Sequence, residues 1–546
     1  MIADIVVTEK SFGPKLLMSG IKFSIDDGEK IGVIGRNGVG KSTLFGILTG
    51  EDKDFTGEVI FKRGTVVVAT KQEHHDVGGQ TVLQYVLSGL PEYPELSHII
   101  ETYPETMGDD MKLIDEYTQA LMRFDDKGFY QIEEQIEREL TNFQLPDLAH
   151  RQFTTLSGGQ KRLIEIVKIM HSHADLALID EPTNHMDYVA KAQFIDWMQG
   201  AREGMLVITH DRDVLNEVDR IIELKDGDNA SYKGNYNAYL KQNAVSTGTQ
   251  MNDFEMIEKR IVNLKAKVID YQRLKEKSRN PGTIQKFKRL EETSRKELGE
   301  LQAKEKPTFW IDKESAANLN YKVAAQYDKF KAKNIRMNLK DDESRSKHVL
   351  VNVKNLSLGY GDTPLFTGAN IDLREGEALE IRGRNGAGKT TLIKALLGDK
   401  TATHFAGDVT LDHHMRIGVY EQEVAPTYFT LSLEAAIEKM YLDRNLSITT
   451  TKIRNLLSDY LFTEGDGKTP VSRLSGGQKA RFQLIAMLAN DPQLLILDEP
   501  TNHLDLPSIE ELETALAKYA GATLYVSHDG YFRDALGGDV LQIGSA

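Results

Sequence analysis

GRNGVGKST, residues 35–43, recurs as GRNGAGKTT at residues 383–391. In both copies an apolar run leads into the glycine-rich turn: EKIGVIG at residues 29–35 and EALEIRG at residues 377–383. The segments that follow Lys41 and Lys389 are predicted to be helices. A buried strand, a glycine-rich turn and a helix, in that order, predict an α/β fold that occurs twice in this chain.

Other features of the sequence recur at fixed offsets. The paired positions are Leu156 and Leu474 (each starting LSGGQ), Asp180 and Asp498 (each starting DEPTNH), His210 and His528, Phe12 and Tyr360, and Gln72 and Gln422. The offset is 348–350 up to the glutamine and 318 after it, so the first half carries about 32 extra residues. We place this insert at about Gly89–Asp125. The repeat predicts two large domains, residues 1–244 and 346–546, joined by residues 245–345.

The composition excludes several classes of protein. The chain of 546 residues has no cysteine. This excludes disulfides and thiolate metal sites, and it is compatible with a reducing cytosol. No apolar run approaches the ~18–20 residues that span a bilayer, and the N-terminal sequence lacks the pattern of a secretory signal. We therefore expect a cytoplasmic protein without a membrane segment.

Charge is distributed unevenly along the chain. The whole sequence has 67 basic and 82 acidic residues, a net charge of −15. Residues 246–345 hold 23 of the basic and 16 of the acidic residues, so this segment is net positive and the remainder is strongly negative. The acidic part is a poor general binder of nucleic acid, whereas the basic middle segment can seek phosphates.

The middle segment has the pattern of a helical hairpin. One apolar seam, with spacings of three and four residues, comprises Phe254, Ile257, Ile261, Leu264, Val268 and Tyr271. A weaker return seam comprises Phe287, Leu290, Ser294, Leu298 and Leu301. Asn280-Pro281-Gly282 breaks the helix between them. The candidate RNA contacts surround this turn: Lys275, Lys277, Arg279, Lys286, Lys288 and Arg289. On charge alone, the basic cluster is either a phosphate-binding tip or a solvated helix turn.

The pattern G-x-x-x-x-G-K-[ST] forms a phosphate-binding loop. Its glycines let backbone N–H groups approach phosphate oxygens, and the following helix N-terminus adds partial positive charge. Lys41 and Lys389 are expected to neutralise the β- and γ-phosphates, and Ser42 and Thr390 to hold Mg²⁺. Two such loops, each between a strand and a helix, make a chance match remote.

Carboxylates and a second glycine-rich loop complete each set. Asp180-Glu181 and Asp498-Glu499 end apolar strands, which places them at the sheet edge where ligands bind. The aspartate is expected to support Mg²⁺ and the glutamate to polarise the attacking water. LSGGQ precedes a helix and therefore predicts another anion site.

This combination of motifs resembles an ABC-type ATPase, twice over. Two cassettes on one chain with a charged helical linker resemble the ABC-F family. The resemblance implies two P-loop ABC-type ATPase domains joined by a long helical-hairpin linker, binding ATP and Mg²⁺. It also implies a monomer in which the cassettes form a head-to-tail sandwich.

The resemblance also assigns the site residues. Around the first ATP it places Phe12, Gly35, Asn37, Gly38, Gly40, Lys41, Ser42, Thr43, Gln72, Asp180, Glu181 and His210, facing Ser475, Gly476, Gly477 and Gln478. Around the second it places Tyr360, Gly383, Asn385, Gly386, Gly388, Lys389, Thr390, Thr391, Gln422, Asp498, Glu499 and His528, facing Ser157, Gly158, Gly159 and Gln160. Phe12 and Tyr360 are expected to stack on adenine, although core packing is an alternative for both. The catalytic groups are then the two glutamates, the two histidines, Gln72 and Gln422, and these glutamines also assist the metal.

The same family suggests a function in translation. ABC-F proteins bind the ribosome in the ATP-bound closed state, with the linker tip directed towards the P-site tRNA. The insert resembles their arm, so rRNA and tRNA are the expected partners. Housekeeping translation factors and antibiotic-resistance proteins that protect the ribosome both occur in the family. The lack of a long loop at Asn280-Pro281-Gly282 favours a translation factor. A DNA-associated ATPase and the ATPase subunit of an exporter remain alternatives.

Overall fold

A computed structural model describes residues 1–13, 15–71, 77–184, 186–225, 227–303, 309–312, 315–316, 327, 329–337, 339, 348–412 and 415–544, without the side chain of Lys15. The chain divides into two compact units, one of Met1–Tyr236 with Ile335–Ala546 and one of Asn237–Asn334. The first unit contains both repeated cassettes, and the second contains the segment between them. The domain limits inferred from the repeat, at residues 244 and 345, remain predictions.

The first cassette contains two sheets. Its strands are β1 (Ala3–Phe12), β2 (Lys15–Met18), β3 (Ile21–Ile25), β4 (Lys30–Gly35), β5 (Thr56–Phe61), β6 (Val67–Ala69), β7 (Leu176–Asp180), β8 (Gly204–Ile208), β9 (Arg220–Lys225) and β10 (Asp228–Lys233). In the antiparallel sheet β1 pairs with β2, β3 and β5. The other sheet has the order β10-β9-β4-β8-β7-β6 and is parallel except for β10. Parallel pairing places the carboxyl ends of β4, β7 and β8 at one edge.

The helices of this cassette include one directly after each predicted glycine-rich loop and a run of five between β6 and β7. They are α1 (Lys41–Leu48), α2 (Val82–Ser88), α3 (Tyr93–Thr106), α4 (Met111–Asp126), α5 (Ile132–Asn142), α6 (Gly158–Met170), α7 (Tyr188–Gly200) and α8 (Arg212–Leu215). Alternate residues of β7 face opposite cores: Leu176 and Leu178 pack with α1, and Ala177 and Ile179 pack with α2, α5 and α6. The strand is apolar throughout because helices or strands cover both of its faces.

The proposed insert contains a pair of helices, α3 and α4. Tyr93, Phe124 and Phe129 pack at their base, with ring centroids 5.2–5.7 Å apart. Glu92 pairs with Arg123 across this base. Aromatic packing and the ion pair fix the two helices where the chain leaves the cassette. The sequence limits of the insert remain a prediction.

The second unit contains the predicted hairpin. Its helices are α9 (Tyr236–Lys277) and α10 (Pro281–Gln302). The Asn280 side chain accepts hydrogen bonds from the backbone N–H groups of Gly282 and Thr283 at 2.9 and 3.4 Å. An N-cap asparagine followed by proline starts α10 here, since proline needs no hydrogen-bond acceptor in the first turn. The predicted break is thereby confirmed.

The seam predicted on α9 is confirmed, but the one on α10 needs a correction. Leu264 and Val268 are buried. On α10, Leu290 is 37% exposed, whereas Glu291 is only 7% exposed. Glu291 accepts hydrogen bonds from Lys275 at 2.6 Å and from Arg295 at 3.0 Å. Positions 290 and 291 both fit the heptad spacing. The side chain opposite them on α9 is Lys275, which pairs with a carboxylate and not with a leucine.

The second cassette repeats the architecture of the first. Its strands are β11 (Val349–Tyr360), β12 (Thr363–Arg374), β13 (Ala378–Arg382), β14 (Thr403–Leu411), β15 (Ile417–Tyr420), β16 (Leu494–Asp498), β17 (Ala522–Val526) and β18 (Asp539–Gln542). Its helices are α11 (Lys389–Leu396), α12 (Leu433–Asp443), α13 (Thr450–Asp459), α14 (Glu464–Lys468), α15 (Gly476–Leu488), α16 (Leu506–Ala517) and α17 (Gly530–Leu536). The antiparallel sheet has the order β12-β11-β14, and the parallel sheet has the order β15-β16-β17-β13-β18. The α/β class predicted from the sequence is confirmed in both cassettes.

None of the helices in the described ranges combines the length and the apolar character that crossing a bilayer requires.

Candidate nucleotide sites

Each glycine-rich loop joins a parallel strand to a helix at the carboxyl edge of the sheet. Gly40 and Gly388, immediately before α1 and α11, have φ of 110° and 96°. Gly38 and Gly386 have φ of 81° and 82°, and a Cβ built on either would meet nothing within 4 Å. These angles favour glycine. The open space beside the two loops leaves room for phosphate groups to approach the backbone.

The two P-loop lysines are held by their own loops. Lys41 Nζ donates to the carbonyl of Gly35 at 2.7 Å, and Lys389 Nζ donates to that of Gly383 at 2.8 Å. Burial lowers the pKa of both lysines. Each ammonium group is therefore fixed inside the loop, where phosphate oxygens can replace the carbonyl oxygens as acceptors.

A hydroxyl and an aspartate meet beside each loop. Ser42 Oγ donates to Asp180 at 3.2 Å, and Thr390 Oγ1 donates to Asp498 at 2.9 Å. The other oxygen of Asp498, Oδ1, is buried without a hydrogen-bond partner among the described residues. A hydroxyl with a carboxylate is the hard oxygen set that Mg²⁺ prefers. These residues fit a magnesium ion bound together with phosphate oxygens.

A glutamate and a histidine meet at the end of each cassette's central strands. His210 Nε2 lies 3.5 Å from Glu181 Oε1, and His528 Nε2 lies 3.2 Å from Glu499 Oε1. Burial and the preceding aspartate raise the pKa of both glutamates to about 8. Burial and the nearby P-loop lysine lower the pKa of both histidines to about 3. Each pair therefore comprises a carboxyl group that can take a proton near neutral pH and a neutral imidazole.

A cavity of about 690 Å³ contains residues of both cassettes. From the second cassette it is lined by Tyr360, Asn385, Gly386, Gly388, Lys389, Thr390, Thr391, Gln422, Glu499 and His528, and from the first by Ser157, Gly158, Gly159 and Gln160. The structure thus brings the second P-loop opposite the first LSGGQ, in the head-to-tail pairing. The cavity lies within the size range of small-molecule sites.

Contacts at the first P-loop have the reciprocal pairing. Asn37 Nδ2 donates to the carbonyl of His503 at 2.9 Å. A Cβ built on Gly477 would lie 2.1 Å from Asn37 Nδ2 and 3.1 Å from the carbonyl of His503, so a larger residue would require Asn37 to move. The second LSGGQ therefore packs directly against the first P-loop.

Two aspartates at this interface were not assigned a role from the sequence. The backbone N–H of Asn37 donates to Asp505 at 3.2 Å, and that of Asn385 donates to Asp187 at 3.0 Å. Each aspartate also caps the helix that follows it, α7 or α16. Asp187 and Asp505 therefore tie each P-loop to the opposite cassette. Their recurrence seven residues after Asp180 and Asp498 was the available signal.

The LSGGQ loops are held by their own side chains. Ser157 and Gln160 form a reciprocal capping box at the start of α6, as do Ser475 and Gln478 at the start of α15. In each box the glutamine side-chain oxygen accepts a hydrogen bond from the serine backbone. The two glutamines thus preserve the shape of the loop, a role that the expectation of ATP contact did not include.

The remaining predicted residues have different outcomes. Phe12 and Tyr360 are 55% and 52% exposed, which argues against core packing for either ring. Tyr360 lines the cavity at the second site. Thr43 lies on α1 directly after the P-loop. Gln72 lies outside the described residues, whereas its counterpart Gln422 lines the cavity.

The ABC transporter family model matches residues 18–184 and 366–502. The chain is 30% identical to the ATP-binding protein YdiF of Bacillus subtilis, over 100% of this chain and 80% of that protein. It is 29% identical to ABC transporter F family member 5 of Arabidopsis thaliana, over 98% and 74%. It is 28% identical to the energy-dependent translational throttle protein EttA of Mycobacterium tuberculosis, over 96% and 88%. The chain belongs to the ABC family of ATPases, as one of its ABC-F members.

The fold is also similar to that of a solved structure. The archaeal ribosome recycling factor aABCE1, solved with the ribosomal stalk protein aP1, aligns over 98% of this chain and 90% of that one, with a TM-score of 0.55 and 16% identity. At this identity the likeness concerns the fold alone. The tandem P-loop architecture and the ATPase activity expected from the motifs are confirmed by the family match.

Proposed function

We propose that this ABC-F ATPase acts in the cytoplasm on the ribosome, which it binds in its ATP-bound closed state to modulate translation. The linker tip is then directed towards the P-site tRNA, and the helices α3 and α4 form a second ribosome contact. The observation that carries the proposal is the cluster of exposed basic side chains at the turn of the hairpin. The related EttA is named as a translational throttle, which supports the same reading.

The chemistry of the cycle follows from the paired sites. Each P-loop binds the phosphates of ATP, and Lys41 or Lys389 neutralises them. Ser42 with Asp180, and Thr390 with Asp498, would hold Mg²⁺, with Gln72 and Gln422 assisting; the ion would supply charge stabilisation at the γ-phosphate. Glu181 and Glu499 accept a proton from the attacking water. The opposite LSGGQ closes each site, so ATP joins the two cassettes.

Five basic side chains at the tip are available for phosphates. They are Lys277, Arg279, Lys286, Lys288 and Arg289, all exposed and without an ion-pair partner among the described residues. Lys275 differs, because its ammonium pairs with Glu291 at 2.6 Å. The sixth predicted RNA contact therefore helps hold the hairpin together. Unpaired cations at one end of a hairpin favour a polyanionic partner over an apolar one.

The test uses protein that carries Glu181→Gln and Glu499→Gln, which is expected to bind ATP without hydrolysing it and is called the trapped protein. Two triple variants of the trapped protein, matched in charge, are compared. One changes Lys286, Lys288 and Arg289 to Gln at the tip. The other changes Lys265, Lys267 and Lys296, exposed residues along the same hairpin, to Gln. Co-sedimentation with ribosomes at several KCl concentrations should show weaker binding for the tip variant. Its salt slope should be shallower by about two to three units, since each lost phosphate contact removes nearly one.

Equal salt slopes for the two triple variants would overturn the assignment of the tip. Sedimentation of the trapped protein with membranes or with DNA, in place of ribosomes, would favour an exporter subunit or a DNA-associated ATPase. Addition of the active protein to a translation reaction inhibited by ribosome-targeting antibiotics separates the two family roles. Restored peptide synthesis indicates ribosome protection, and synthesis that stays inhibited indicates a translation factor.

A further inference from the structure

One buried lysine joins the two cassettes next to the second ATP site. Lys191 lies on α7 of the first cassette and is 6% exposed. Its ammonium pairs with Asp213 at 2.6 Å and with Asp211 at 3.2 Å, both in its own cassette. It also donates a 2.7 Å hydrogen bond to the backbone carbonyl of His528 in the second cassette. The side chain therefore reaches the residue expected to work with Glu499.

The ammonium of Lys191 is charged when it makes this contact. Burial by itself lowers the pKa of a lysine, but the carboxylates of Asp211 and Asp213 outweigh it and raise the pKa of Lys191 above its usual value. Three acceptors from two cassettes therefore surround a single cation. The ammonium of Lys191 therefore has a fixed position, because a movement away from any of its acceptors would leave a buried polar group unpaired.

The bond to His528 continues to the catalytic glutamate. The backbone N–H of His528 donates to Glu499 Oε2 at 3.3 Å, and its Nε2 lies 3.2 Å from Glu499 Oε1. Lys191 thus holds the backbone carbonyl of His528, while the backbone N–H and the imidazole of the same residue contact Glu499. A shift of the His528 backbone would move both contacts to the carboxylate together.

A second cation of the first cassette holds the next residue. Arg212 contacts the carboxylate of Asp529 at 3.2 Å and lies 4.7 Å from the ring centroid of Tyr531. Asp529 directly follows His528, so Lys191 and Arg212 together hold these two adjacent residues. Both cations belong to the opposite cassette.

The residues equivalent to Lys191 and Arg212 differ at the first ATP site. At the offset of 318 that relates the two cassettes, the counterpart of Lys191 is Ile509 and that of Arg212 is Gly530. Neither can donate a side-chain hydrogen bond to His210. Glu499 is also more enclosed than Glu181, with side-chain exposures of 8% and 21%. The motifs are duplicated, whereas Lys191 and Arg212 are not.

We infer that Lys191 is a positioning residue for hydrolysis at the second site alone, so that the two ATP sites turn over unequally. By holding the His528 carbonyl, it keeps His528 against Glu499 when ATP joins the cassettes. At the first site the position equivalent to Lys191 is Ile509, which cannot hold the His210 carbonyl in this way. Although both motif sets are complete, the second site then depends on the first cassette for Lys191 as well as for the LSGGQ loop.

The test isolates each site in full-length protein. Glu181→Gln leaves the second site able to hydrolyse, and Glu499→Gln leaves the first. Lys191→Met added to Glu181→Gln should lower the single-turnover rate of phosphate release about tenfold, the effect of losing one charge-assisted positioning contact. Added to Glu499→Gln, it should change the rate less than about twofold. Binding of a labelled ATP analogue should stay the same in both backgrounds.

Two further variants separate positioning from folding. Lys191→Arg keeps the charge and the donors, so it should restore most of the rate at the second site. Lys30→Met is the matched control, because Lys30 is equally buried and its ammonium donates to three carbonyls of its own cassette, those of Gly28, Ala201 and Glu203. Lys30→Met should lower the melting temperature, and any effect on the rate of phosphate release should be the same in the Glu181→Gln and Glu499→Gln backgrounds. Equal loss in both backgrounds on Lys191→Met, no loss in either, or failure of Lys191→Arg to restore the rate would overturn the inference.

Discussion

Glu181 and Glu499 adopt the same unusual backbone conformation, with φ of 48° and 52°. Non-glycine residues are uncommon there, and the cost of such a conformation is of order 1–3 kcal/mol. Each follows the last residue of a central strand, and its N–H bonds to a carbonyl of the neighbouring strand, Ile208 or Val526. The turn points each carboxylate at its histidine, so both sites have the same local strain at the same position.

Replacing both glutamates tests their role as bases. Glu181→Gln with Glu499→Gln preserves shape and removes the group that accepts the proton, while the P-loops stay intact. We expect phosphate release to fall by at least about 10²-fold, the usual contribution of a general base. ATP should remain bound, which a filter assay with labelled ATP would measure. Phosphate release near the wild-type rate would show that water is activated by other groups.

His171 should make the stability of the fold depend on pH. It is the C-cap residue directly after α6, and its Nε2 is buried without a hydrogen-bond partner among the described residues. Burial lowers the pKa of His171 to about 4. Because the unfolded chain binds the proton more readily, this residue opposes folding as the pH falls from about 6.5 towards 4.

Between pH 7 and pH 5 this loss should be about 2 kcal/mol. Hydrogen exchange of the α6 amides, corrected for intrinsic rates, measures it at both pH values. In His171→Gln the pH-dependent part should largely disappear. If the variant and the wild type lose protection equally at pH 5, another titrating group is responsible.

At the scale of the element, the hairpin turn depends on one cap. Asn280→Ala removes both hydrogen bonds at the start of α10 and should cost about 1 kcal/mol of local stability. Hydrogen exchange over residues 281–290 should accelerate, while residues 295–302 should change little. Asn280→Ser retains a capping oxygen without adding charge and should behave like the wild type. Unchanged exchange in Asn280→Ala would mean that packing alone starts the helix.

At the scale of the whole molecule, each ATP site is shared by the two cassettes. Ser157→Arg should therefore impair hydrolysis at the Lys389 site, and Ser475→Arg at the Lys41 site, because each arginine would obstruct the loop facing the opposite P-loop. Single-turnover phosphate release separates these effects in the Glu181→Gln and Glu499→Gln backgrounds. Each substitution should lower the rate at least about tenfold in one background only. Loss at the site of the same cassette would contradict the head-to-tail pairing.

The sequence by itself determined the two cassettes, their glycine-rich loops, the strand-end carboxylates and the hairpin break. These features are readable because each depends on residues that are adjacent along the chain: a loop needs glycine at Gly38 and Gly386, and α10 needs its cap at Asn280. The seam of α9 is readable for the same reason, since its period is local.

Only the tertiary structure decided which residues meet across the cassettes. Asp187 and Asp505 were visible as repeated letters, but their contacts to Asn385 and Asn37 depend on how two distant parts of the chain pack. Glu291 occupies the seam instead of Leu290 because its carboxylate pairs with Lys275, sixteen residues away on α9. Lys191 reaches His528 over 337 positions of sequence. Local patterns contain no information about such distances, because these contacts depend on how segments far apart in the sequence pack together.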